Sequence, residues 1–195
     1  MADLKNPHLK RVSEQLEMHI DDSRRFLSAF NPQQLNWKPD KKSWSIAQCL
    51  DHIIVSDQQY FNGIKKAIEL TCAAQLVERK PYRPGLFARW FIYMMKPGSW
   101  IRSKAPAIFQ PSVRTEGQKV LEDFVRHEQE LLVLIKKCDG WDLNKIKISS
   151  PVHSFVAFSL GECFSLLVAH QERHLLQARR IAQCEYFPRE MNTPK

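Results

Sequence analysis

Two histidines set four residues apart in the middle of a long helical run constrain this chain more tightly than any other feature. The run covers residues 159–184 and reads S-L-G-E-C-F-S-L-L-V-A-H-Q-E-R-H-L-L-Q-A-R-R-I-A-Q-C. On a helix, residues four apart stack on one face, roughly 6 Å from each other. Turning about 100° per residue, Leu160, Cys163, Leu167, Ala178 and Ile181 fall within about 40° of His174, and His170 falls there too. Glu162, Glu172, Arg173, Arg179, Arg180 and Gln183 lie opposite. The imidazoles therefore sit in the middle of the apolar stripe, where an unsatisfied ring nitrogen costs about 1–3 kcal/mol. Hydrogen bonds to other core side chains would satisfy them. So would a divalent metal, for which neutral imidazole is a common ligand. The spacing alone leaves both open.

The remainder of the chain reads as helices of similar length. Leu9, Val12, Leu16, Ile20, Leu27 and Phe30 give the apolar spacing of a first helix over 7–30, with Pro7 suited to its first turn and Asn31-Pro32 as its stop. A connector over 33–43 follows. Ser45 with Gln48 fits a capping box, and Ile46, Cys49, Leu50, Ile53, Tyr60 and Ile64 continue a second helix over 45–74. Thr115 with Gln118 opens a third over 115–138, lined by Val120, Leu121, Phe124, Leu131, Leu134 and Ile135 and ended by Gly140. An irregular return over 141–158 leads to the fourth, capped by Ser159 and Glu162. The expectation is an all-α, four-helix bundle forming one domain over 1–195, with no substantial sheet.

Between the second and third helices lies a long crossover, 75–114, with five of the eleven prolines. Pro84-Gly85 and Pro97-Gly98 bracket an apolar, partly helical core, 85–101. The net charge of +8 comes from this region. Residues 79–119 hold nine of the 29 Lys and Arg against one of the 21 Asp and Glu, and elsewhere the signs balance. Burial of Phe87, Trp90, Phe91 and Met94 against the bundle, or against a partner subunit of a homodimer, is expected to position the segment. Arg89, Lys96, Arg102 and Lys104 are expected to face water.

Other features narrow the class. No run approaches the roughly 18 apolar residues of a membrane span, and the opening M-A-D-L-K-N-P-H lacks the apolar core of a signal peptide. Five cysteines with no C-x-x-C pair read as reduced core thiols of a cytoplasmic protein. The basic charge comes without a nucleic-acid-binding motif, so no nucleic-acid partner is expected.

His52 lies at one edge of the second helix's apolar stripe, above Ser56 and Gln59. If the second and fourth helices are neighbours, His52, His170 and His174 converge on one cleft. Three histidines with an open position for water are the arrangement of catalytic rather than structural zinc. Gln171, Asp57, His127, Glu128 and His153 are general acid or base candidates by placement or chemistry only.

With these residues in view the chain resembles a known family. W-S-I-A-Q-C-L-D-H-I at 44–53 is similar to the DinB-like signature on the second helix, and A-H-Q-E-R-H-L-L-Q-A-R-R-I at 169–181 to that family's closing H-x-x-x-H helix. N-W-K-P, S-P-V-H and S-L-G-E fit as well, so the resemblance runs to about residue 188. It implies a DinB/YfiT-like bundle of up-down-down-up topology, with the long crossover between helices two and three. It also implies zinc or nickel on His52, His170 and His174. Characterised members include transferases using low-molecular-weight thiols and an isomerase dependent on one, and others are described as metal-dependent hydrolases. The expected function is thus a metalloenzyme activating water or a low-molecular-weight thiol against a small electrophile. The alternative is a non-catalytic helical module whose basic, aromatic crossover binds a membrane surface or a protein.

Overall fold

Residues 4–74, 77, 80–99, 104–112, 117, 119–153 and 155–189 are described by a computed structural model. Among them the order is α1 (Pro7–Leu27), α2 (Pro32–Asn36), α3 (Ile46–Ala74), α4 (Leu86–Met95), a 3₁₀ turn at Ala107–Phe109, α5 (Lys119–Lys137), β1 (Lys147–Ser149), β2 (Ala157–Ser159) and α6 (Leu160–Ala182). The four long helices are α1, α3, α5 and α6. Both α5 and α6 pack against α3, and both also pack against α1. The bundle therefore closes as a ring with α1 and α3 across one diagonal. Leu9, Leu16, Ile46, Leu50, Ile53, Ile64, Phe124, Leu131, Ile135, Leu160 and Phe164 have no exposed surface and form its core. Each such burial stabilises by about 1.5–3 kcal/mol.

Local chemistry explains the boundaries. The Asn6 side chain accepts from the amides of His8 and Leu9 ahead of Pro7, which starts α1. That helix ends at Leu27, short of Phe30, because Asn31-Pro32 is a start signal. Asn31 caps the Gln34 amide, the Gln34 side chain returns to Asn31, and Pro32 opens α2 inside the expected connector. Ser45 and Gln48 form the expected reciprocal cap at 3.2 and 3.1 Å. Ser159 and Glu162 do the same for α6. The expected cap of Thr115 and Gln118 lies outside the described residues. The return after α5 is more regular than its sequence suggested, since β1 and β2 pair antiparallel with Ile148 opposite Phe158.

The crossover is anchored on α6. Glu162 accepts the Gly85 amide at 2.7 Å through one oxygen and the Ser159 amide at 2.7 Å through the other. Arg173 Nη1 donates to the Met94 carbonyl at 3.1 Å, and the Phe91 ring meets Phe158 at 5.4 Å. Ala88 is buried, and Phe91 and Met94 are partly so. Phe87 and Trp90, however, do not pack on the bundle. They remain 56% and 57% exposed because the face of α4 that meets α6 is carried by Ala88, Phe91, Ile92 and Met95. Arg89, Lys96 and Lys104 are exposed as expected, while Arg102 lies outside the described residues.

Gly161 makes this anchoring possible. A Cβ there would sit 2.4 Å from the Tyr82 ring, far inside contact distance. Gly161→Ala should therefore push Tyr82 and the start of the crossover off α6, costing about 1–3 kcal/mol. Urea denaturation is the check, and an unchanged midpoint would mean that Tyr82 does not rest on α6.

Candidate metal centre

α3 and α6 are neighbours, and their facing surfaces bring three histidines together. His52 lies in the second turn of α3, and His170 and His174 occupy successive turns of α6. Ring centroids are 5.0 Å apart for His52 and His170, 4.3 Å for His52 and His174, and 4.5 Å for His170 and His174. Each offers a ring nitrogen, and these three atoms lie within 4.8 Å of one another. The group could hold a metal ion.

The hydrogen bonds around the rings decide where their lone pairs point. His52 Nδ1 faces the Phe109 carbonyl, an acceptor only, so Nδ1 carries the proton and Nε2 presents a lone pair. His174 Nδ1 lies 3.0 Å from Gln177 Oε1, which assigns its proton in the same way. His52 Nε2 in turn lies 3.2 Å from His170 Nε2. Two ligand nitrogens on a tetrahedral ion at about 2.0–2.1 Å would stand roughly 3.3 Å apart. Carbonyl and amide oxygens behind the rings thus provide the outer contacts that orient metal-binding imidazoles.

Trp44 closes one side, with its ring 4.5 Å from that of His52 and 5.7 Å from that of His174. His52 is 2% exposed and His174 9%, whereas His170 keeps part of its surface open to solvent. The crossover closes another side, because the turn carrying Phe109 is held over α3 by Ser112, which donates to Asp51. Burial lowers the affinity of all three imidazoles for protons. His170 falls well below its ordinary value through burial and then through the neighbouring charges of His174, His52 and Arg173. His174 drops to about 3, again through burial first and His52 second. Neutral imidazole, the form a metal needs, is favoured near neutral pH.

A family model of the DinB superfamily matches residues 15–178, and that span takes in all three histidines. The chain belongs to the DinB superfamily. No curated protein and no solved structure matches it. In this DinB-superfamily chain, the residues proposed from sequence as acid or base candidates divide into two groups. His153 is exposed beside Phe155, away from the cluster. Asp57, His127, Glu128 and Gln171 are buried together in a second polar cluster. Sequence reasoning missed the supporting shell of Phe109, Gln177 and Trp44. Gln177 carried a signal, lying three residues after His174 on one helix face, but a backbone carbonyl from the crossover carries none.

The depressed imidazoles have a consequence for metal-free protein. A group held neutral by the fold contributes stability above its ordinary value of 6.5, and that contribution is lost as pH falls toward about 3. Urea midpoints of chelator-treated protein should decline steadily from about pH 7 to about pH 5. A flat profile would mean that these rings are already hydrated.

Proposed function

We propose that His52, His170 and His174 hold a zinc or nickel ion and that the chain is a metal-dependent enzyme acting on a small electrophile. The observation that carries this reading is the convergence of imidazole lone pairs, with His52 Nε2 3.2 Å from His170 Nε2 and the Nδ1 atoms of His52 and His174 turned to oxygen acceptors. Such a metal, when bound, would lower the pKa of a water or low-molecular-weight thiol and supply a nucleophile near neutral pH. The chain's own residues then have separable tasks. Phe109 and Gln177 fix ring tautomers, Trp44 limits water on one side, and His170 is the residue of the three that is not fully buried. Reaction classes compatible with these parts are hydrolysis and thiol transfer. Asp57 and Glu128 are too deeply buried to meet a substrate directly. A cytoplasmic setting belongs to the same proposal, supported by the thiols of Cys49, Cys163 and Cys184, which form no disulfide among the described residues. Among the described residues, no helix is long and apolar enough to cross a membrane.

The test is metal analysis of freshly purified protein together with conjugation of a low-molecular-weight thiol to a model electrophile. His52→Ala and His174→Ala should each remove about one equivalent of zinc or nickel with the helical circular dichroism retained. Thiol conjugation should fall at least about tenfold in the same variants. Unchanged metal content would sink the reading.

One observation favours a second reading, a module that docks through its crossover. Leu86, Phe87, Trp90 and Tyr93 are 81%, 56%, 57% and 70% exposed on α4, with Arg89 and Lys96 exposed beside them. Apolar side chains flanked by cations suit an anionic membrane surface. Co-sedimentation with phosphatidylserine vesicles, lost in Trp90→Ala, is the expected result if this reading holds. Absence of sedimentation removes it.

A further inference from the structure

Every long helix contributes to a second polar cluster in the bundle interior. α3 supplies Asp57, α5 supplies His127 and Glu128, α6 supplies Gln171, and α1 supplies His19. Asp57, Glu128 and Gln171 have no exposed surface, and His127 and His19 are buried beside them. Gln171 is committed at both ends. Its Nε2 donates to Asp57 Oδ2 at 2.7 Å, and its Oε1 meets His19 Nδ1 at 3.2 Å. His127 Nε2 lies 3.4 Å from Asp57 Oδ2, and its ring stacks on Phe61 at 4.6 Å.

Three oxygens are left over. Asp57 Oδ1 and both carboxylate oxygens of Glu128 accept no hydrogen bond. The Gln171 amide is near enough to Glu128 to favour its charged form, yet it does not reach hydrogen-bond geometry. Burial and the Asp57 charge act the other way and hold the Glu128 carboxyl well above its usual range. Two carboxylates facing each other in a dry interior are costly unless something positive or protic lies between them. A single proton on Glu128 can join one oxygen to another, but it leaves the third oxygen without a partner. A divalent cation can take Asp57 Oδ1, both oxygens of Glu128 and an unprotonated nitrogen of the His127 ring together, and it cancels both carboxylate charges.

We propose that Asp57, His127 and Glu128 form a second divalent-metal site inside the bundle, separate from the three histidines. One donor atom from each of these residues lies within 4.8 Å of the other two. Bonds of about 2.0–2.2 Å set donors roughly 3–3.6 Å apart, so loading draws the three groups inward. Two carboxylates and one imidazole form a harder donor set than three imidazoles and favour manganese or iron(II), with zinc also accommodated. Gln171 stands behind Asp57 as the outer contact that holds it in place, and His19 in turn holds Gln171. The two sites share α3, while α6 gives ligands to the first and only the outer contact Gln171 to the second, so no ligand is common to both.

The test is native mass spectrometry of full-length protein expressed in manganese-supplemented medium, comparing the parent with His174→Ala and Glu128→Gln. The parent should carry about two ions per chain, since each donor set is independent. His174→Ala should keep the interior ion, and Glu128→Gln should lose it while keeping the ion on the histidines. Glutamine copies the shape and neutrality of a protonated glutamic acid. If Glu128 is only a protonated core acid, Glu128→Gln will match the parent ion for ion, and the proposal is overturned. A parent carrying a single ion that vanishes in His174→Ala overturns it equally. Anomalous diffraction at the manganese edge from parent crystals removes any dependence on how the variants fold. A peak between Asp57, His127 and Glu128 is expected, and ordered water without anomalous signal there contradicts the site.

Discussion

Imidazole and carboxylate groups on α3, α5 and α6 must find partners away from water, and the arrangement of the bundle follows from how they do so. α6 carries the problem in its most concentrated form. His170, Gln171 and His174 occupy the middle of a helix whose other buried positions, from Cys163 to Ile181, are apolar. Successive residues turn by about 100°, so His170 and Gln171 address different neighbours. His170 meets His52, and Gln171 meets Asp57 and His19. Apolar burial at both ends of the helices supplies the stability that lets these polar layers persist, at about 1.5–3 kcal/mol for each large side chain.

The crossover completes the histidine cluster as well as linking α3 to α5. Its Phe109 carbonyl fixes the His52 ring, and its Gly85 amide shares the Glu162 carboxylate with the α6 cap. One carboxylate thus sets where α6 begins and where the crossover docks. The absence of a side chain at Gly161 admits the Tyr82 ring to the same corner. Disturbing that corner should loosen α4 against α6, close to the turns that carry the histidines.

Much of this is legible in the sequence. The apolar spacing of Leu9, Val12 and Leu16, and of Ile46, Cys49 and Ile53, named buried residues because helices bury stripes of period 3.6. His170 and His174 were placed inward by the same arithmetic, and reciprocal caps at Ser45 and Ser159 located two starts. Tertiary choices were less accessible. Asn31-Pro32 reads equally as the stop of one helix and the start of another, and the structure uses it as a start. Phe87 and Trp90 were expected to be covered by the bundle or by a partner subunit, because large apolar side chains gain from burial, and the bundle does not cover them. α4 meets α6 through its smaller Ala88 and through Phe91 instead. The interior cluster escaped notice as a unit because its members come from four separate helices, and no spacing along the chain connects Asp57 with Glu128.

The central claim is that three imidazoles, presented through Nε2, hold one metal ion. X-ray absorption at the zinc or nickel edge tests it most directly, on protein carrying Glu128→Gln so that only the histidine cluster contributes. The account predicts three imidazole nitrogens at about 2.0–2.1 Å with a further light-atom ligand, and loss of that signal in His52→Ala. A spectrum without imidazole scattering, or one dominated by sulfur at about 2.3 Å, would contradict it.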